Sequence, residues 1–226
     1  SWDTSSARDM TQMFDGASAF NGDISSWPVA KVTSFNAMFI GASQFNQDLS
    51  SWNTSSATRT SNMFFQASAF NGDISSWSVG KVTDFGSMFN GASQFNRSLN
   101  SWNTSSATDM SSMFNFATVF DQPLDMWDTS KVESFEEMFR SAPAFNQDLS
   151  DWQPIKAVNM ASMFTFASSF NQTLCPWNEH FSSSSIVFRD DDDIEFAVET
   201  ACPVQSRTDS IDIGGTCYSP LCYTCT

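Results

Sequence analysis

Large apolar residues return along this chain at a fixed interval of 25 positions, separated by mostly polar stretches. The eight tryptophans stand at Trp2, Trp27, Trp52, Trp77, Trp102, Trp127, Trp152 and Trp177, without slippage. A Met-Phe pair follows in each interval, from Met13-Phe14 to Met163-Phe164, and a second phenylalanine comes six residues later, from Phe20 to Phe170. Ala17, Ala42, Ala67, Ala92, Ala117, Ala142 and Ala167 form a small-residue column, and Ile24, Leu49, Ile74, Leu99, Leu124, Leu149 and Leu174 an aliphatic one. So strict a period predicts a solenoid in which each unit is one coil and like side chains stack on like. Seven coils fill residues 1–176, and 177–226 reads as a Cys-rich cap or the start of a further domain.

The second unit shows how one coil should be built. Val32, Phe35, Met38, Phe39, Ala42 and Phe45 are spaced 3, 3, 1, 3 and 3, the pattern of one face of a short helix. Thr33 or Ser34 is placed to cap its start, and Gly41 weakens its end. Gln47 to Ser51 reads as a short strand, pairing in parallel with Gly22–Ser26 and Gly72–Ser76. The predicted class is an α/β repeat solenoid of leucine-rich-repeat type, with one short parallel strand and one short helix per coil and a small disulfide-stabilised C-terminal region. Successive coils also alternate. Val29, Val32 and Phe35, like Val79, Val82 and Phe85, lie where Thr54, Ala57 and Thr60 stand in the coil between them. Large beside small favours interdigitation at native density, and the pairing suggests duplication of a 50-residue unit.

The segment from Met38 to Trp52 (Met-Phe-Ile-Gly-Ala-Ser-Gln-Phe-Asn-Gln-Asp-Leu-Ser-Ser-Trp) resembles the 25-residue repeat of BspA-like surface proteins. That group includes mycoplasma surface lipoproteins and expansions in algae and giant viruses. The likeness covers about three quarters of the chain and stops near Trp177. It implies a leucine-rich-repeat-like solenoid on a cell or particle surface, with adhesion or protein binding as its role and no catalytic residues.

Charge narrows the partners. A formal net charge of −15 opposes nucleic-acid binding, which needs a basic face, and anionic membranes would repel the chain as well. No apolar run approaches the roughly 20 residues of a membrane-spanning helix. Cysteine is absent from the first 174 residues and then appears at Cys175, Cys202, Cys217, Cys222 and Cys225. Clustering near the terminus reads as disulfide stapling in an oxidising compartment, with one thiol left over and the pairing open. Zinc at Cys217, Cys222 and Cys225 is the weaker reading, because His180 is the sole histidine. The chain opens at Ser1 without an initiator methionine, as a processed product or a piece of something longer would.

Several polar groups are candidates for chemistry. Asn21, Asn46, Asn71, Asn96, Asn146 and Asn171, with Asp121 between them, read as a ladder bonding the backbone of adjacent coils, with Asn96 and Asn171 expected to be buried. Asp23, Asp48, Asp73 and Asp148 form a broken acidic column whose repulsion Ca²⁺ could offset. Asp190, Asp191, Asp192 and Asp193 are a denser cluster between apolar runs, a candidate hairpin loop and Ca²⁺ site. Asn53 and Asn103 begin glycosylation sequons in the turn after Trp. Thr33, Thr58, Thr83 and Thr108 form a row of the kind ice-binding solenoids present, but it ends at Glu133. A triad would have to use His180, and no carboxylate pair stands out.

The expectation is a non-catalytic extracellular or cell-surface structural or adhesion protein that needs no cofactor. Its coils would form a rigid scaffold contacting other proteins or copies of itself, with filament growth through a heterologous end contact as one version. The alternative is a calcium-dependent or carbohydrate-binding module using the strand face.

Overall fold

The computed structural model describes residues 2–174 and 176–177, together with the backbone of four short strands, β1 (Val187–Arg189), β2 (Glu195–Ala197), β3 (Asp212–Ile213) and β4 (Thr216–Cys217). β1 pairs antiparallel with β2 and β3 with β4, so two small hairpin pairings lie in the C-terminal part. Residues 2–174 contain neither an α-helix nor an extended strand. Each coil is a run of turns, and the α/β class expected for it is overturned. With it goes the leucine-rich-repeat plan of one helix and one strand per coil.

The hydrogen bonds explain the difference. In the second coil the N–H groups of Met38, Ile40, Ala42 and Phe45 donate three residues back, to Phe35, Ala37, Phe39 and Ala42. The intervening N–H groups of Phe35, Ala37, Phe39 and Gly41 instead donate to carbonyls of the next coil, those of Arg59, Ser61, Met63 and Phe65, at 2.8 to 3.0 Å. This alternation needs a left-handed residue every fourth position, and Ala37 (φ 59°) and Gly41 (φ 63°) supply it. A helix would direct every N–H within the segment; here half of them run along the stack. Gly41 therefore does not end a helix but sits inside the turn series.

The expected parallel strand is displaced as well as shortened. Single parallel bridges join Asp9, Ser34, Arg59, Asp84, Asp109, Ser134 and Asn159, one per coil. Ser34 is thus a bridge residue and not a helix cap. At Gly22–Ser26, Gln47–Ser51 and Gly72–Ser76 the coils are tied mainly by side chains: the hydroxyls of Ser51 and Ser76 donate to the carbonyls of Ser25 and Ser50, at 2.6 and 2.7 Å.

The core is a set of aromatic stacks. Phe14, Phe39, Phe64, Phe89, Phe114, Phe139 and Phe164 lie ring on ring, 5.5 to 5.7 Å apart and within 9° of parallel. Phe20 to Phe170 form a second stack at 5.7 to 6.1 Å. Within each coil the two rings face each other at 3.8 to 4.1 Å. Such pairs contribute about 0.5–1.5 kcal/mol each beyond the area they bury. Alternation of large and small residues completes the filling. Phe35, Phe85 and Phe135 lie against Trp52, Trp102 and Trp152 of the following coils at 5.5, 5.9 and 5.5 Å. Gly72 marks the tightest approach, since a Cβ there would meet the Gln47 carbonyl oxygen at 2.1 Å.

Candidate functional site

The tryptophan column is a backbone tie as well as an apolar stack. Each indole Nε1 from Trp52 to Trp177 donates to the aliphatic column 28 residues earlier. Trp52 reaches the Ile24 carbonyl at 3.1 Å, and Trp77, Trp102, Trp127, Trp152 and Trp177 reach Leu49, Ile74, Leu99, Leu124 and Leu149 at 2.8 to 3.1 Å. Trp77 and Trp102 stack at 6.3 Å and 3°. Trp27 is half-buried, while Trp2 stacks on it at 5.9 Å yet remains 65% exposed.

The asparagine column works through its side-chain oxygens. Oδ1 of Asn21, Asn46, Asn71, Asn96, Asp121 and Asn146 accepts the backbone N–H of its counterpart in the next coil, at 2.8 to 3.1 Å, ending at Asn171. The ladder reading predicts burial of Asn96 and Asn171, but Asn96 is half-buried and Asn171 exposed. The column lies at the surface because the oxygen need only reach the neighbouring backbone. Asn53 and Asn103 are exposed, and each Oδ1 accepts the N–H of Ser55 or Ser105 at 3.1 Å. Gly80 leaves room for Asn103, whose Nδ2 lies 3.1 Å from where a Cβ would stand.

The acidic column serves local turns. Asp23, Asp48, Asp73 and Asp148 each accept the N–H two residues on, at 2.8 or 2.9 Å. The Ser25 hydroxyl also donates to Asp23 at 2.7 Å, and the Ser130 hydroxyl to Asp128 at 2.6 Å. The hydroxyls of Ser25 and Ser130 hold the carboxyls of Asp23 and Asp128, and the backbone N–H of Ser75 holds that of Asp73, below the usual aspartate range. Among the described residues no group of three or more His, Cys, Asp or Glu side chains is placed to hold a metal ion. Asp190, Asp191, Asp192, Asp193, Cys175, Cys202, Cys222 and Cys225 lie outside the described residues, as does His180; of Cys217 only the backbone, in β4, is described. The hydroxyls of Thr33, Thr58 and Thr108 donate at 3.1 Å to the carbonyl 25 residues earlier, so this row also ties coils together.

One surface feature escaped the sequence reading. Phe116 and Phe166 are 52% and 54% exposed and adopt φ values of 55° and 60°. They stand in the column that holds Gly16, Gly41 and Gly91 in earlier coils. The available signal was this break in the Met-Phe-x-Gly-Ala pattern. Between the two rings, on the intervening coil, Arg140 places its guanidinium 5.8 Å from the Phe166 ring centre. Glu137 pairs with Arg140 at 3.5 Å and also accepts from the Ser112 hydroxyl and Asn115 Nδ2, both at 3.1 Å. Asn115 Oδ1 is buried without a hydrogen-bond partner.

Ring stacks, side-chain ladders and backbone bonds that all repeat at one 25-residue interval define a tandem-repeat protein whose units hold each other in register. The sequence model of the family described as "Mycoplasma protein of unknown function, DUF285" matches twice, over residues 1–102 and 88–195, and the chain belongs to that family. No curated protein and no solved structure matches it.

Proposed function

We propose that the chain is a non-catalytic surface scaffold, exposed outside the cell, whose stacked coils hold contact residues at fixed spacing for other proteins or further copies of itself. The observation that supports this reading is the uninterrupted register of stacked rings from Phe14 to Phe164. A body whose polar ladders are engaged in joining coils is suited to spacing and presentation. Membership of a family described from mycoplasmas fits a BspA-like surface role. No helix among the described residues is long and apolar enough to cross a membrane.

Self-assembly is the version with a geometric basis. Carbonyls at the positions of Ser34, Asn36, Met38 and Ile40 accept N–H groups from the coil before. Their equivalents Asp9, Thr11, Met13 and Asp15 would receive a further coil in the same register, whether from the same polypeptide or from another copy. Protease treatment of intact source cells tests the location: release of fragments of this chain is expected, and protection until lysis would refute a surface role. Beads carrying the chain should adhere to extracellular-matrix proteins or to beads bearing the same chain. Adherence to neither would remove the contact function.

A further inference from the structure

We propose that the surface column of Phe116, Ser141 and Phe166 is a binding platform for a neutral, extended β-1,4-linked polysaccharide. The backbone explains why these residues need a reason. At this position φ is 68°, 63°, 56°, 74°, 55°, 54° and 60° in successive coils, at Gly16, Gly41, Gln66, Gly91, Phe116, Ser141 and Phe166. Glycine adopts that conformation freely, whereas another residue there costs about 1–2 kcal/mol. At about 25 cal/mol per Å², burial of the other half of each side chain contributes about 2–3 kcal/mol, enough to offset that cost while about half of Phe116 and of Phe166 stays in solvent. The left-handed backbone belongs to the coil itself, but a half-exposed aromatic ring, twice in a column that holds Gly16, Gly41 and Gly91 in earlier coils, is more than that backbone requires.

The column is held firmly. The Phe116 N–H donates to the Arg140 carbonyl at 2.9 Å and the Ser141 N–H to the Thr165 carbonyl at 2.8 Å, locking the three coils at this point. The two rings therefore stand on alternate coils, with a small serine between them, and each coil advances the neighbouring Phe stack by 5.7 Å. Arg140 is positioned at Phe166 by Glu137, which is itself held by Ser112 and Asn115. Two half-exposed rings thus flank the coil that carries the Arg140–Glu137 pair.

Size and charge select the occupant. An aromatic side chain carries about 150–250 Å² of surface, so two half-exposed rings offer roughly 200 Å². A stable protein interface needs about 800 Å² from each partner, about four times what these two rings supply by themselves. The net charge of −15 opposes polyanions. A neutral sugar chain satisfies both limits, with C–H faces for the rings and hydroxyls for Arg140, Ser141 and Glu137. In a β-1,4-linked chain alternate sugars are turned over, so one face recurs at every second sugar, as the rings recur at every second coil.

Calorimetry of the full chain with cellohexaose and chitohexaose, pull-down on insoluble cellulose and chitin, and sedimentation velocity test the proposal. Wild type should bind at least one of the two polymers, with affinity falling at least tenfold in Phe116→Gly/Phe166→Gly. Glycine suits the left-handed backbone, so this variant should melt no lower than wild type and report binding separately from folding. The conservative Arg140→Lys should weaken binding less than Arg140→Ala. Failure of wild type to bind either oligosaccharide or polymer overturns the proposal. So does binding within twofold of wild type by the double variant, or self-association that the double variant abolishes in the absence of sugar binding.

Discussion

Replacing Trp102 by alanine should be among the most damaging single changes in the chain. The indole is 2% exposed, stacks on Trp77 at 6.3 Å, packs at a tilt of 31° against Phe85 at 5.9 Å, and donates to the Ile74 carbonyl at 3.1 Å. Removing about 150–250 Å² of buried aromatic surface at about 25 cal/mol per Å² costs about 4–6 kcal/mol. That upper estimate overlaps the roughly 3–5 kcal/mol typical of large aromatics truncated in cores. Trp102→Phe keeps most of the ring contact and abandons the carbonyl, so it should cost about 1–3 kcal/mol. Trp2→Ala is the internal control: Trp2 is 65% exposed, and the same arithmetic gives about 1–2 kcal/mol. Urea unfolding followed by circular dichroism would rank the three, and hydrogen exchange would show whether protection is lost first in the coils around position 102. Equal costs for Trp2→Ala and Trp102→Ala would refute the stacked-column account. A Trp102→Phe as harmful as Trp102→Ala would shift the stabilisation from ring contact to the indole hydrogen bond.

Other substitutions probe the backbone and the ladders. Gly72→Ala should be far worse than Gly41→Ala in thermal melts: the first drives a Cβ to 2.1 Å from a backbone carbonyl, while the second meets only the left-handed penalty of about 1–2 kcal/mol. Similar melting points would contradict that. Asn46→Asp should be nearly neutral at pH 7, because Asp121 already fills the same role, whereas Asn46→Ala should cost about 0.5–1.5 kcal/mol in denaturant unfolding. The carboxyls of Asp23, Asp73 and Asp128 are held below their ordinary value of 3.8 in the fold. Their contribution is therefore whole above pH 3.8 and lost as pH falls through the lowered folded values. Asp73→Asn keeps an acceptor for Ser75, as Asn53 does for Ser55, so its melting temperature should drop less on acidification than that of wild type. An identical acid limb would exclude the Asp73 turn as a contributor.

Much of the architecture could be read from the chain, but not its secondary structure. The indole, phenylalanine and asparagine columns were visible because their interval never slips, and an offset of 25 residues is what the parallel bridges show. The helix was a misreading with a definite cause. Apolar spacings of 3, 3, 1, 3 and 3 suit a helix, but they also suit a series of turns bonded three residues back. What separates the two is where alternate N–H groups go, and their acceptors lie 24 residues away. Nor did local composition betray the left-handed positions, which are held by Gln12, Ala37, Asn62, Ser87, Ser112, Glu137 and Ser162 as well as by glycines. Phe116 and Phe166 went unnoticed because an aromatic residue in a phenylalanine-rich repeat looks like core. Only the structure shows these two facing outward.

The alternation of bulky and slight side chains bears on how such a molecule can change its reach. Phe35 meets Trp52 across one boundary, and Phe85 meets Trp102 in the same way 50 residues later. Excising or inserting 50 residues would therefore rejoin matching surfaces, whereas a change of 25 would set bulk against bulk or open a void. The length of this protein is free to step only in doublets.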